Sequence, residues 1–287
     1  MLKSIHLVLL SAAIPSLAFG QTPSAAEIVS RIAAHAGVQP PADKTVDTFK
    51  SGDPAAPVKG VTVTMMATLD VLRAAVDRGD NFIITHEPTF YSHRDTLGVL
   101  QKENDEVLAE KQRFINDHGL VIWRFHVTPH MMAPDMIQAG VIQTLGWENN
   151  EVSGNPQVFD LSEMSLRDLA KRVASKTEAT AVRIAGDPNA KVKRVALTQG
   201  FPGFVANRHA VQGHNVDVLI IGEDHEWEAV EYAFDAISEG KLKGLIVLGH
   251  IPSEQPAMRG IAEWIHSFVP EVPVHFIASK DMLHRLQ

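Results

Sequence analysis

From residue 61 onward the apolar positions follow two alternating rhythms: short unbroken apolar runs, and longer stretches in which apolar residues return every three or four positions. The first rhythm reads as buried strands and the second as helices with one buried face. The runs predict strands at Val61 to Met66, Asn81 to Thr85, Leu120 to Phe125, Asp217 to Ile221, Leu245 to Leu248 and Val272 to Ala278, with two more around Gly186-Asp187-Pro188-Asn189. Helices are predicted over Leu69 to Arg78, about Leu97 to Asp117, Pro134 to Leu145, Leu166 to Ser175, Glu226 to Ile237 and Glu254 to Phe268. Local chemistry sharpens the ends. Thr68 can cap the first of these helices and Gly79 can stop it, while Ser24-Ala25-Ala26-Glu27 forms a capping box ahead of Ile28, Ile32 and Ala33, with Gly37 as the stop. Strands alternating with helices need crossover connections, which favour parallel pairing with helices laid over the sheet. The polar stretch Glu148 to Pro156 reads as a linker. The chain therefore reads as α/β: two α/β lobes with mixed, mostly parallel sheets, one over residues 21–149 and one over 150–287, as suits a length of 287.

The first twenty residues follow a different pattern. Lys3 precedes an apolar run from Ile5 to Leu17, interrupted by Pro15, and Ala18-Phe19-Gly20 gives a small-x-small cleavage site before Gln21. That is the layout of a secretory signal, residues 1–20. The run is shorter than the roughly 20 apolar residues that cross a bilayer. The expectation is an exported protein, periplasmic or secreted, beginning at Gln21 and free of the membrane once the signal is removed.

Composition narrows the chemistry. Hydrophobic residues at 45% and charged residues at 21% describe an ordinary folded chain, and a net charge of −8 leaves no basic surface for nucleic acid. The absence of cysteine removes disulfides, thiolate zinc sites and cysteine nucleophiles together. Any transition metal must be held by His, Asp and Glu.

Those residues stand where α/β sheets place ligands, just beyond the carboxyl ends of strands. Four predicted strands run into His86-Glu87, His126 with His130 four residues on, Glu223-Asp224-His225-Glu226, and His250 with Glu254 four residues on. Residues four apart on a helix share a face, so His126 with His130, and His250 with Glu254, can each meet one ion. A single His at a strand end is an ordinary capping or surface residue, and Glu254 alone could serve the helix dipole. Four strand ends carrying His are harder to account for in that way, and together they supply enough donors for two divalent ions. His6, His35, His93, His118, His209, His214, His266, His275 and His284 lack the pattern and are taken as structural or surface residues.

Gly60-Val61-Thr62-Val63-Thr64, Ala67-Thr68-Leu69, Asn81 to Thr85 running into His86-Glu87-Pro88-Thr89-Phe90, and Gly249-His250-Ile251-Pro252-Ser253-Glu254 carry a resemblance. From about Asp47 to Asp281 the chain resembles the Nif-three-like family, whose members are also called dinuclear metal centre proteins or GTP cyclohydrolase 1 type 2. The resemblance implies two α/β lobes, a dinuclear metal site in the cleft between them and a ring-shaped hexamer. His250 and Glu254 match the family's late motif. The common early motif is His-His-Pro, where this chain has His86-Glu87-Pro88, and His130 stands where the family usually has Asp.

The reading that follows is a metal-dependent hydrolase acting on an unidentified small molecule. His86, Glu87, His130, His250 and Glu254 are expected to hold two divalent ions (Zn, Mn or Fe), which would activate a bridging water. His126 or His225 would orient a ligand or carry a proton. Gly200-Phe201-Pro202-Gly203 reads as a flexible loop beside the cleft, and neither a Walker A motif nor a G-x-S-x-G elbow is present. The alternative is a metal-binding scaffold without turnover. A barrel amidohydrolase is disfavoured, since strand–helix pairs are too few for eight.

Overall fold

The computed structural model describes residues 22–284, so the signal-like segment and its cleavage site lie outside the described residues. Helix α1 (Ala25–Ala36) starts from the expected capping box, with Ser24 accepting from the Glu27 amide and the Glu27 carboxylate accepting from the Ser24 amide. Strand β1 (Phe49–Ser51), β2 (Val61–Thr64), α2 (Leu69–Arg78), β3 (Phe82–Thr85), α3 (Gly98–Lys102), α4 (Glu106–Asp117) and β4 (Val121–Arg124) follow. Then come α5 (Val127–Met131), α6 (Met136–Leu145), β5 (Glu151–Val152), β6 (Asn155–Ser165), α7 (Leu166–Thr177), β7 (Arg183–Gly186), β8 (Lys191–Thr198), α8 (Phe204–Val211) and β9 (Val218–Ile221). The chain ends with α9 (Glu231–Ser238), β10 (Gly244–Val247), α10 (His250–Glu254), α11 (Pro256–His266) and β11 (Val274–Phe276).

Two mixed sheets result, of order β1-β4-β3-β2-β11 and β5-β6-β8-β9-β10-β7. Their centres are parallel: β2, β3, β4 and the edge strand β11 pair in parallel, as do β8, β9 and β10, while β1, β5, β6 and β7 join antiparallel. The strands buried along their whole length are β2, β3, β4, β9 and β10; β9 and β10 are apolar throughout, while β2 alternates Val with buried Thr and β3 and β4 end on buried Thr85 and Arg124. Helices cover both faces of each sheet, which is why those strands need no polar alternation. α1 and α11 pack on one face of the first sheet through Ile28, Ile32, Met258, Ile261 and Ile265, and α2 and α4 on the other through Leu72, Leu108 and Ile115.

Three departures from the sequence reading have physical causes. The supposed linker Glu148 to Pro156 holds β5 and the start of β6, because a half-exposed antiparallel edge pair has too few apolar residues to register as a run. The expected helix from Leu97 to Asp117 is broken at Asn104, which takes φ 54°, and Asp105 then caps α4 by accepting from the Leu108 amide. The helix expected from Glu254 to Phe268 starts instead at Pro256, and Glu254 is the last residue of the separate α10.

The division at residue 150 is also corrected at the chain's far end. β11 pairs with β2, and α11 packs into the first sheet's core, so the C-terminal segment completes the first lobe. Periodicity reports what kind of element a segment forms, not which sheet edge it joins. α6 belongs to both cores, with Ile137 in the first and Val141 and Leu145 in the second. Gly140 permits its close crossing with α11: a Cβ there would lie 2.6 Å from the Ala257 Cα. The glycine costs about 1 kcal/mol of helix propensity, and the contact it allows ties the lobes together where the two sheets' carboxyl ends approach.

Candidate metal centre

Each relevant side chain sits just beyond a buried strand. β3 delivers His86 and Glu87, β4 delivers His126 and then His130 within α5, and β10 delivers His250 and Glu254 at the two ends of α10. The short α5 is fixed by Asp47, whose carboxylate accepts from the amides of His126, Val127 and Thr128 at 2.7–2.8 Å and from the Thr128 hydroxyl at 2.6 Å.

Three of the imidazoles are tied by the nitrogen that faces away from the centre. His86 Nδ1 contacts the Phe125 carbonyl oxygen at 3.1 Å, His130 Nδ1 the Asp135 carboxylate at 2.9 Å, and His250 Nδ1 the Glu223 carboxylate at 2.8 Å. Tying Nδ1 as a donor turns Nε2 inward, where once deprotonated it presents its lone pair, as in histidines that ligate metals. His86 Nε2 lies 3.6 Å from Glu254 Oε2 and 4.0 Å from Glu87 Oε1. His250 Nε2 lies 3.2 Å from Glu254 Oε2 and 3.3 Å from Glu87 Oε1, and His126 Nε2 is also 3.3 Å from Glu87 Oε1. Donors about 2.0–2.1 Å from a tetrahedral ion stand about 3.3 Å apart, so these separations suit shared ions. Buried His86 Nε2 and Glu254 Oε2 have no hydrogen-bond partner, a cost that a bound cation would remove. Donor atoms of His86, His126 and His130, and of His86, Glu87 and Glu254, form two groups within 4.8 Å that could each hold a metal ion.

The surroundings reinforce this arrangement. Arg124, fully buried, donates to the His86 carbonyl at 3.0 Å, to Glu87 Oε2 at 3.1 Å and to the His93 carbonyl. One Glu87 oxygen is thus held from behind while the other faces the imidazoles. Gly200, at φ 62°, lies against the Glu254 carboxylate so closely that a Cβ there would collide with it.

Burial holds His86 far below the usual imidazole range, at about 4, despite the nearby Glu254 and Glu87. Burial acts the same way on His250, but the carboxylates of Glu223, which accepts from its Nδ1, and of Glu254 and Glu87, which face its Nε2, outweigh it and raise its pKa well above the usual range. Burial would raise Glu87 and Glu254, yet their contacts with His250, and for Glu87 also with His126, hold both below the usual carboxylate range. In the metal-free protein His250 therefore keeps a proton on both nitrogens at neutral pH, and a cation arriving at Nε2 must displace one. Calorimetric titration with Zn²⁺ in buffers of different ionisation enthalpy is expected to report about one proton released by this residue per chain. Heats independent of the buffer would contradict it.

The other expected residues fall less centrally. His225 lies outside this cluster, half-exposed and stacked on Trp227 at 4.5 Å, and groups with Asp224 and Glu228. His126, expected to orient a ligand or carry a proton, places its ring among the candidate donors, with Nε2 3.3 Å from Glu87 Oε1. The cleft, of ≈ 310 Å³, is lined by the cluster residues other than His86 together with Gln157, Thr198, Gln199, Phe201 and Pro202, so the Gly200–Gly203 loop does border it. His93, set aside from the sequence, also lines it, with its ring 5.6 Å from that of His126. Asp47, Asp135 and Arg124 were not singled out. Only Arg124 left a signal, as a charged residue inside an apolar strand run.

Residues 25–282 match the Duf34/NIF3 family (NGG1p interacting factor 3). A GTP cyclohydrolase 1 type 2 homolog of Clostridium acetobutylicum is 23% identical over 218 residues, 72% of this chain and 76% of that protein. A protein of the same description from Clostridium perfringens is 23% identical over 243 residues, 78% of this chain and 84% of the other. Among solved structures, a Staphylococcus aureus protein superposes with a TM-score of 0.70 at 19% identity, covering 92% of this chain and 100% of its own.

Proposed function

This chain belongs to the Duf34/NIF3 family, and from that premise we propose that it is an exported dinuclear metal-dependent hydrolase of small molecules. The observation that carries the reading is the convergence of four imidazoles and two buried carboxylates on one cleft, with His86 Nε2 and Glu254 Oε2 unpartnered. Six donors exceed the four of one tetrahedral ion, and His86, tied through Nδ1, can serve only one ion. In this proposal His86, Glu87, His126, His130, His250 and Glu254 hold two ions. Divalent ions bound there would supply Lewis acidity and lower the pKa of water. The chain's own part is positioning: Arg124 fixes Glu87, Glu223 and Asp135 fix the rings of His250 and His130, and Asp47 fixes the turn that carries His126.

The two departures from the family motif are internally matched. Carboxylate Glu87 faces the buried cation Arg124, and imidazole His130 has the carboxylate of Asp135 behind it. The relatives' GTP cyclohydrolase description is not carried over, since Glu87 and His130 alter the donor set. Export rests on the pattern of residues 1–20.

Elemental analysis of the purified mature protein is expected to give close to two divalent ions per chain after reconstitution, within the usual count for such clefts. A panel of exported metabolites should show metal-dependent hydrolysis of at least one. No metal after reconstitution would overturn the reading, and two ions without turnover would leave the scaffold alternative in its place.

A further inference from the structure

A second cavity, of ≈ 420 Å³, adjoins the cluster and shares Glu87 and His250 with it. Its far wall holds two polar groups that the metal centre does not use, Thr89 and Lys111. Both are almost wholly buried, at 1% and 4% exposure. The Thr89 hydroxyl has no hydrogen-bond partner. Lys111 Nζ donates to the Thr89 carbonyl at 2.6 Å, which uses one of its three N–H groups, and lies 5.2 Å from the centre of the Tyr91 ring. Among the described residues no carboxylate pairs with it: Asp95, the acid that acts on it, contacts Lys50 at 3.3 Å and Arg124 at 3.9 Å.

A buried ammonium without a counter-ion and a buried hydroxyl without a partner are each costly, and they persist side by side at a cavity wall. Burial lowers Lys111 to about 8, so at neutral pH it still carries charge. The cavity's two carboxylates are already engaged, Glu87 with Arg124 and Glu223 with His250. Met66, Tyr91 and Phe201 supply the apolar walls between the two ends.

We propose that Lys111 and Thr89 form an oxyanion subsite, which seats a carboxylate or phosphate group of the substrate while the bond to be hydrolysed lies at the metal cluster. The subsite deepens the hydrolase reading and rests on it for the second half of that statement. A small anionic substrate with an apolar middle is the class selected. Among the described residues no guanidinium lines the cavity, so recognition would be by point charge and one hydroxyl.

Calorimetric titration of the metal-loaded protein with inorganic phosphate and, separately, with succinate tests it. One of the two anions should bind to wild type, and the tighter one identifies phosphate or carboxylate as the recognised group. Lys111→Met should weaken that binding about ten- to a hundredfold, the effect of losing a charged hydrogen bond. Lys111→Arg should restore most of it, Thr89→Val should weaken it by a smaller factor, and metal content should stay at the wild-type level throughout. The arginine and valine variants keep the test valid if the methionine variant does not fold. Equal binding by wild type and all variants, or no binding of either anion at tens of millimolar, would overturn the subsite. Lys111-dependent binding to protein that takes up no metal would support the anion subsite and sink the hydrolase reading, so the two fail separately.

Discussion

Glu254→Gln and His250→Ala are expected to empty the metal centre while leaving the fold in place. Each residue meets the cluster twice over: Glu254 Oε2 lies within 3.6 Å of both His86 Nε2 and His250 Nε2, and His250 Nε2 also approaches Glu87. Loss of a group that only stands behind a ligand costs about 10–100-fold in metal affinity, so losing a ligand should cost more than about a hundredfold. The fold should tolerate the change because both residues follow β10 and neither belongs to an apolar core. Glutamine keeps the size of Glu254 and spares the tight fit against Gly200. Exposed Glu263 on α11 supplies the control, Glu263→Gln, with metal content at the wild-type level. Metal content by mass spectrometry and far-ultraviolet circular dichroism decide the matter together. Unfolded variants, or folded ones with undiminished metal, would make these residues structural.

Arg124→Met should be the most destabilising single change in the site. The side chain is fully buried and satisfies three acceptors, the carbonyls of His86 and His93 and the Glu87 carboxylate. Its removal leaves a buried carboxylate facing two carbonyl oxygens, and breaking a buried pair from one side costs about 3–5 kcal/mol. Methionine keeps much of the volume, so the loss reports electrostatics and hydrogen bonding more than a cavity. Urea unfolding of metal-free protein would measure it. The double variant Arg124→Met with Glu87→Gln should recover part of the loss, because the stranded charge is then gone. A change below about 1 kcal/mol, the level of an exposed ion pair, would mean that water reaches the pair.

The same pair explains why position 87 was only half legible. The sequence shows a carboxylate where the family usually has imidazole, and a reading confined to ligands treats that as a change of donor. The partner, Arg124, is 37 positions away and becomes relevant only because β3 and β4 pair in register, with Thr85 beside Arg124. His93 escaped notice for a related reason: it follows no apolar strand, and a loop folded back over the cleft brings it there. His225 erred in the other direction. It follows β9 closely in sequence, but β9 ends in a turn that leaves its ring stacked on Trp227 at the surface.

By itself the sequence determined what depends on neighbours along the chain. Strands buried on both faces show as short runs of apolar and β-branched residues, helices show their 3.6-residue rhythm, and Ser24 and Thr68 cap because capping is local. The i, i+4 pairing of His250 with Glu254 was legible for the same reason. Tertiary structure alone decided what depends on strand order and on side chains that meet across it. It placed β11 beside β2, brought the β3, β4 and β10 ends to one cleft, set Asp47 under α5, and buried Lys111 beside Thr89. Those contacts are fixed by packing whole sheets and helices to native density, and packing couples residues with no regard to their separation in sequence.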